Sequence, residues 1–372
     1  MMEAEAHFAS AILAEEECRP HVGVVDRQWI CEAVRLIEAD FHRSADTHLL
    51  RLPIASLEGI DIYLKDESTH PTGSLKHRLA RSLFLYGLCN GKIARDTRIV
   101  EASSGSTAIS EAYFARMLAL PFTAVVPDTT SKEKIREIEH FGGTCEYAPS
   151  VQIYDRAEQI ARECGGYYMD QFTLAERATD WRGNNNIAES LFEQMRCEPN
   201  PIPRWVVVGA GTGGTSATVG RFIRYRPHLA SHTSLCVADP EGSVFLESFR
   251  DPESTPQSCL PSRLEGVGRP RHEPSFVPSV VDRMMRVADA ASVATAHWIS
   301  DRIGKKVGGS TGLNVFATLK LAHEMRGRGE RGSLATLICD SGDRYRQTIF
   351  AEDWLRKEKL DLSKTAQFLE NF

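Results

Sequence analysis

Along most of the chain, short β-branched and apolar runs alternate with longer stretches whose apolar positions recur every three to four residues. The runs IDIYLK (60–65), TRIVEA (97–102), FTAVVP (122–127), RWVVVG (204–209), SLCVAD (234–239) and LATLIC (334–339) predict strands. Near-continuous apolar strands separated by helices indicate parallel sheets covered on both faces. Residues 131–141 and 154–164 predict amphipathic helices, each closed by Gly-Gly, a residue type suited to the left-handed turn that ends a helix. The fold class is therefore α/β, doubly wound.

The same pattern divides the chain. A helical N-terminal arm spans 1–45, an N-terminal α/β domain 46–182, a C-terminal α/β domain 183–350, and a tail 351–372. Two units suit a length of 372 residues, since single cores seldom grow beyond about 250 residues. Residues 251–278, rich in Pro, Ser and Arg, predict a long irregular excursion on the surface.

Composition narrows the partners. Hydrophobic content of 42% with 25% charge excludes a disordered chain. A net charge of −6 without clustered Lys and Arg leaves nothing to hold a nucleic-acid backbone. The nine cysteines are scattered and form no CxxC pair, which argues against a disulfide framework or zinc ribbon and for a reducing compartment. The acidic N-terminus lacks a signal peptide's basic start, and no apolar run is long enough to span a membrane, so the cytoplasm is expected. The histidines form no metal-binding cluster, and no metal site is expected.

Ligands of open α/β sheets bind beyond the carboxyl ends of the strands. Three turns there are rich in glycine and hydroxyls: 101–108 (EASSGSTA), 208–216 (VGAGTGGTS) and 307–314 (VGGSTGLN). Each opens a helix, whose free N–H groups and dipole favour anions. The second spells GxGxxG through Gly209, Gly211 and Gly214, with Asp239 ending the next strand where a ribose-binding acid belongs. That arrangement suits a dinucleotide, as in a dehydrogenase. A phosphate monoester, surrounded by N–H groups from Gly211 to Thr215, suits it too. So does a bare strand–helix turn.

A lysine adds chemistry. In PTGSLKHRLA (71–80), Ser74 is a plausible N-cap, Leu75, Leu79 and Leu83 form a buried stripe, and Lys76 stands in the first helical turn. A structural lysine is out of place there, because the helix dipole repels cations; the same field, with burial, favours a neutral nucleophilic amine. Lys65, beside Asp66 and Glu67, reads as an ion pair. Arg269 and its neighbours in RPRH (269–272) read as loop charge.

Together these segments resemble the pyridoxal-phosphate enzymes of the cysteine synthase and cystathionine β-synthase family, with the tryptophan synthase β-like fold. The match runs from about residue 48 to 346. It implies two doubly wound sheets with the active site in the cleft between domains, pyridoxal 5'-phosphate as cofactor, and a homodimer. Lys76 in PTGSLKHR is similar to the Schiff-base lysine. Ser103, Ser104, Gly105 and Thr107 of SSGST resemble the loop that holds the substrate carboxylate, and Gln171 of Gln171-Phe172 helps grip it. Gly211, Thr212, Gly213, Gly214 and Thr215 resemble the phosphate cup, and Ser310 of GGSTG the residue facing the pyridine nitrogen. Gly266 of EGVG (265–268) is similar to a glycine near the reacting carbon. Ser106 stands where the family usually has an asparagine bonding the cofactor's phenolic oxygen.

The run QFTLAERATDWRGNNN and the segment CDSGDRY look most like the L-cysteine desulfhydrase branch. This implies β-elimination on L-cysteine, releasing hydrogen sulfide, ammonia and pyruvate. The alternative within the family is cysteine synthase, or cystathionine β-synthase-like β-replacement, taking O-acetylserine. The resemblance weighs the glycine turn toward phosphate and away from a dinucleotide.

Overall fold

The computed structural model describes residues 24–254, 256–258 and 262–372. Residues 1–23 of the expected arm lie outside them; the rest of the arm is helix α1 (Val24–His42). Strands β1 (His48–Leu52), β2 (Ile60–Asp66), β7 (Trp205–Gly209), β8 (Ser234–Pro240), β9 (Arg283–Val287) and β10 (Gly332–Ile338) form one sheet in the order β1-β2-β10-β7-β8-β9. Its pairings are parallel except for β1 with β2. Strands β3 (Ile99–Ala102), β4 (Phe122–Pro127), β5 (Thr144–Ala148) and β6 (Tyr167–Tyr168) form a second, parallel sheet in the order β5-β4-β3-β6.

Strand pairing cuts across a division at residue 182. The β10 residues Gly332–Ile338 pair with β2, so residues 48–66 complete the sheet built mainly from the C-terminal half. The tail also docks: its last helix, Ser363–Leu369, buries Leu369 completely against the core of the larger sheet. Four strands lacked a sequence signal. Their short or charged stretches, such as TCEYA and RMMRV, form sheet edges where one side needs no apolar cover.

The helices that carry the site are α2 (Lys76–Cys89), α3 (Ser106–Met117), α4 (Lys132–His140), α5 (Ile153–Glu163), α6 (Gln171–Ala178), α7 (Ile187–Met195), α8 (Gly214–Tyr225), α9 (Asp289–Ile303) and α10 (Gly309–Gly327). Helix α4 follows the expected pattern, with Ser131 capping it by accepting the Lys134 N–H. Helix α10 is buried nearly all round, because it crosses beneath the larger sheet and packs on α9. Close approach there needs Gly312, whose absent Cβ would lie 1.9 Å from the Ser292 carbonyl oxygen.

A buried ionic network anchors the start of α2 to β2. Arg78 donates to Glu67 at 2.6 Å and to Asp46 at 2.7 Å. Lys65 is fully buried, and its ammonium bonds the Thr47 carbonyl at 2.8 Å and Gln194 at 2.6 Å. It is an ion-pair lysine as expected, but its partner is Asp46 at 3.8 Å. Burial lowers it to about 8, with Asp46 opposing. Burial alone would raise the Glu67 carboxyl, yet Arg78 holds it well below the usual range. Its stabilising effect is therefore present above the ordinary carboxyl value and fades as pH falls through the lowered one. The variant Arg78→Met, which leaves the buried Glu67 with only His70 and Thr47 as partners, should lose about 3 kcal/mol in denaturant titration at pH 7.

Candidate active site

A cavity of about 420 Å³ lies where the carboxyl ends of β2, β3, β7 and β10 converge between the two sheets. Every residue that the family resemblance put at the site lines it except Gly214. Gly214 instead borders a smaller hollow of about 50 Å³ behind the glycine turn, shared with Lys76, Thr212 and Thr215.

Lys76 is the first residue of α2. Ser74 precedes the helix and accepts the Lys76 N–H at 3.2 Å, so it caps the helix without occupying the formal cap position. The Leu75 N–H bonds the Cys339 carbonyl at 2.8 Å and the Ser341 N–H bonds the Gly73 carbonyl at 3.0 Å, which clamps this turn to the segment after β10. Burial lowers the Lys76 amine from its ordinary value, while Cys339 and Asp340 nearby favour its charged form. The opposing groups do not restore the usual basicity, so an amine in this wall is closer to its neutral, nucleophilic form.

The SSGST loop leaves β3 and opens α3. Thr107 donates to the Gln171 side-chain oxygen at 2.7 Å, joining the two segments expected to grip a carboxylate. Beneath them Glu101 accepts the Ala102 N–H at 2.7 Å and the Gln171 N–H at 3.1 Å. Ser106 faces the cavity, and its oxygen accepts from Arg344 at 2.8 Å. Arg344 also bonds the Thr72 carbonyl at 2.7 Å, so it ties this loop to the lysine turn.

The glycine turn after β7 is shaped by contacts that no side chain tolerates. A Cβ on Gly211 would meet the Gly266 carbonyl oxygen at 2.2 Å, and Gly213, at φ +93, would meet the Phe276 backbone at 2.4 Å. Its free N–H groups stand at the start of α8, a favourable place for an anion. Ser310 is buried in the first turn of α10, 4% exposed, with Cys339 beside it.

Asp239, the acid a dinucleotide site would need, is fully buried and accepts the Leu246 N–H at 3.1 Å, with Arg286 at 3.4 Å. It is outside the cavity lining, so the dinucleotide alternative loses its ribose partner.

The excursion at 251–278 is not wholly on the surface. Leu264, Val267, Ser275 and Phe276 are buried, and the segment supplies Glu265, Gly266 and Arg269 to the cavity wall. Arg269, expected as loop charge, lies 4.1 Å over the Phe172 ring and donates to the Tyr154 hydroxyl at 2.6 Å. Lys134, Tyr154, Cys339, Asp340 and Tyr345 also line the cavity without having been singled out. Three of these, in CDSGDRY, follow the carboxyl end of β10, and that position was the signal that could have found them. Burial pushes the Asp340 carboxyl up to about 6, against a 2.5 Å bond from the Tyr345 hydroxyl.

The family "pyridoxal-phosphate dependent enzyme" matches residues 42–340. The L-cysteine desulfhydrase Cds1 of Mycobacterium tuberculosis is 56% identical over 94% of this chain and 95% of its own. Among solved structures, O-ureido-L-serine synthase superposes with a TM-score of 0.72 at 24% identity, covering 83% of this chain and 96% of its own. The O-acetylserine dependent cystathionine beta-synthase of Helicobacter pylori gives 0.71 at 24%, covering 84% and 97%. These two likenesses show the fold, two doubly wound sheets of the tryptophan synthase β-like type.

Two buried carboxyls flank the substrate-side loop. Glu101 is pushed up to about 8 by burial, and Glu111 on α3, with neither oxygen bonded to any described residue, is pushed well above its ordinary value by burial and by Glu101. A carboxyl raised by folding favours the fold while protonated, and that contribution is lost as pH rises through the raised value. Thermal stability should fall as pH rises from the ordinary carboxyl value toward about 8. Glu111→Leu should flatten that fall and add roughly 1–3 kcal/mol at pH 9 in denaturant titration.

Proposed function

The chain belongs to the pyridoxal-phosphate dependent enzyme family, and from that premise we propose that it catalyses β-elimination on L-cysteine, releasing hydrogen sulfide, ammonia and pyruvate. Supporting the reaction is the high identity to a relative named L-cysteine desulfhydrase across nearly the whole chain. Supporting the site is one observation above others: the lysine with a lowered amine shares a single cavity with the glycine turn, the SSGST loop, Gln171 and Ser310.

The residues fit the cofactor. The glycine turn is a cradle that a Cβ at Gly211 or Gly213 would fill, and the start of α8 offers N–H groups for a phosphate. When bound, pyridoxal 5'-phosphate supplies an aldehyde for covalent attachment and a ring that accepts the electron pair left at a substrate's Cα. In this proposal the Lys76 amine would make that attachment and would take the Cα proton. Gly211, Thr212, Gly213, Gly214 and Thr215 hold the phosphate. Ser103, Ser104, Gly105, Thr107 and Gln171 hold the substrate carboxylate, and Gly266 leaves room beside the reacting carbon. Ser310 presents a hydroxyl, not a carboxylate, to the ring nitrogen. A hydroxyl from Ser310 would leave that nitrogen unprotonated, which would favour prompt loss of a β leaving group over racemisation or transamination. Ser106 is too short to replace an asparagine, and Arg344 holds its oxygen in place.

A homodimer in the cytoplasm belongs to the same proposal, and the scattered cysteines support a reducing compartment. Among the described residues, no helix is long and apolar enough to cross a membrane.

Incubated with L-cysteine alone, the purified protein should release sulfide and pyruvate in equal amounts. Consumption of sulfide with O-acetylserine, and no pyruvate from cysteine, would mean replacement chemistry instead. Lys76→Ala should abolish turnover and remove the borohydride-fixed cofactor adduct from the 71–80 peptide by mass spectrometry, while circular dichroism stays unchanged.

A further inference from the structure

In a β-elimination the Cα proton passes to the base, the Cα–H electron pair becomes the Cα=Cβ bond, and the Cβ–S pair leaves on sulfur. Negative charge therefore develops on the departing sulfur, and a donor or cation placed there lowers the barrier more than it lowers the ground state. In the proposed reading Lys76 is engaged with the Cα proton and the SSGST loop with the carboxylate, which leaves the part of the cavity wall lined by Tyr154 and Arg269 for that charge.

Tyr154 on α5 and Arg269, just after the Gly266–Gly268 turn, face the cavity from its two sides. The Tyr154 oxygen accepts an Arg269 N–H at 2.6 Å, and among the described residues its own O–H has no acceptor. The ring is held by Phe172 edge-on at 5.7 Å and by the Arg271 guanidinium 4.4 Å above it. Arg269 is fixed in turn, 4.1 Å over Phe172 and bonded through Nε to Glu273 at 2.7 Å. Glu273 is 1% exposed and also takes the Arg271 Nε at 3.1 Å. Two guanidiniums thus share one carboxylate, which leaves one positive charge uncompensated beside a hydroxyl with a free proton.

Resting on the β-elimination reading, we propose that Tyr154 and Arg269 form a leaving-group subsite that receives the departing hydrosulfide, Tyr154 donating its O–H and Arg269 supplying the countercharge. The bond from Arg269 to the phenol oxygen makes the phenol a better donor at the moment sulfur gains charge. No proton need be transferred; a hydrogen bond and a fixed cation suffice. The same pair would disfavour side chains whose β substituent is bulky and apolar, because they would strand the donor and the cation without partners.

The test compares leaving groups in the holoenzyme. β-Chloro-L-alanine loses chloride, a weakly basic anion that needs little help, whereas L-cysteine loses a more basic sulfur. With Tyr154→Phe and with Arg269→Gln, the ratio of kcat/KM for L-cysteine to that for β-chloro-L-alanine should fall by about 100-fold, the scale of losing one preorganised donor. Arg269→Lys should restore much of it. Product inhibition by sulfide should weaken in the same variants, while the visible cofactor band and the borohydride-fixed adduct at Lys76 stay at the native level. An equal loss on both substrates, an unchanged ratio, or loss of the cofactor band would overturn the assignment. If the native enzyme makes pyruvate from neither substrate, it is the β-elimination reading that fails.

Discussion

An amine that must be neutral to react is held here in a wall built mostly of backbone. The turn carrying Lys76 is stitched to the segment after β10 by the Leu75–Cys339 and Gly73–Ser341 hydrogen bonds, and α2 behind it is pinned by Arg78 to Glu67 and Asp46. Both attachments run to the larger sheet. Removing the amine from water is what lowers its proton affinity, so the chemistry depends on this turn being unable to swing outward. The ionic network is buried and fully paired, which makes it costly to break and useful as a fixed reference for the lysine.

The two sheets divide the work. The larger carries the lysine turn, the glycine cradle and Ser310, while the apolar face of α2 packs into the core of the smaller. The smaller carries the SSGST loop and, through Glu101, the start of α6 with Gln171. Polar contacts across the cleft include Lys134 to Glu265 at 2.8 Å, Arg344 to Ser106 at 2.8 Å and Arg269 to Tyr154 at 2.6 Å. Partly exposed polar contacts of this kind contribute little stability individually, unlike the packed cores on either side.

Polar groups near the site sit in unusual surroundings. Glu101 earns its burial through two backbone N–H groups that it orients, whereas Glu111 accepts no bond from any described residue. Arg344 occupies the place between two loops that a longer side chain at 106 would otherwise reach toward. Cys339, with its thiol raised to about 12 by burial, is a poor nucleophile and is better understood as packing beside Ser310 and Asn314.

Sequence alone determined the fold class and most strands through local physics, while the residues around the cavity were legible through glycine- and hydroxyl-rich helix starts that attract anions together with the family resemblance of the motifs they sit in. It placed Lys76 in a first helical turn and grouped three glycine- and hydroxyl-rich turns by chemical type. Tertiary structure decided what depends on contacts between distant segments. The edge strands β5 and β9 were invisible because an edge tolerates charge, and β2 joined the C-terminal sheet through hydrogen bonds that carry no side-chain signature. Arg269 looked like surface charge until Tyr154, Phe172 and Glu273 were brought round it from residues far apart in the chain. A residue's type states which interactions it can make; only the fold decides which partner, and how much water, it meets.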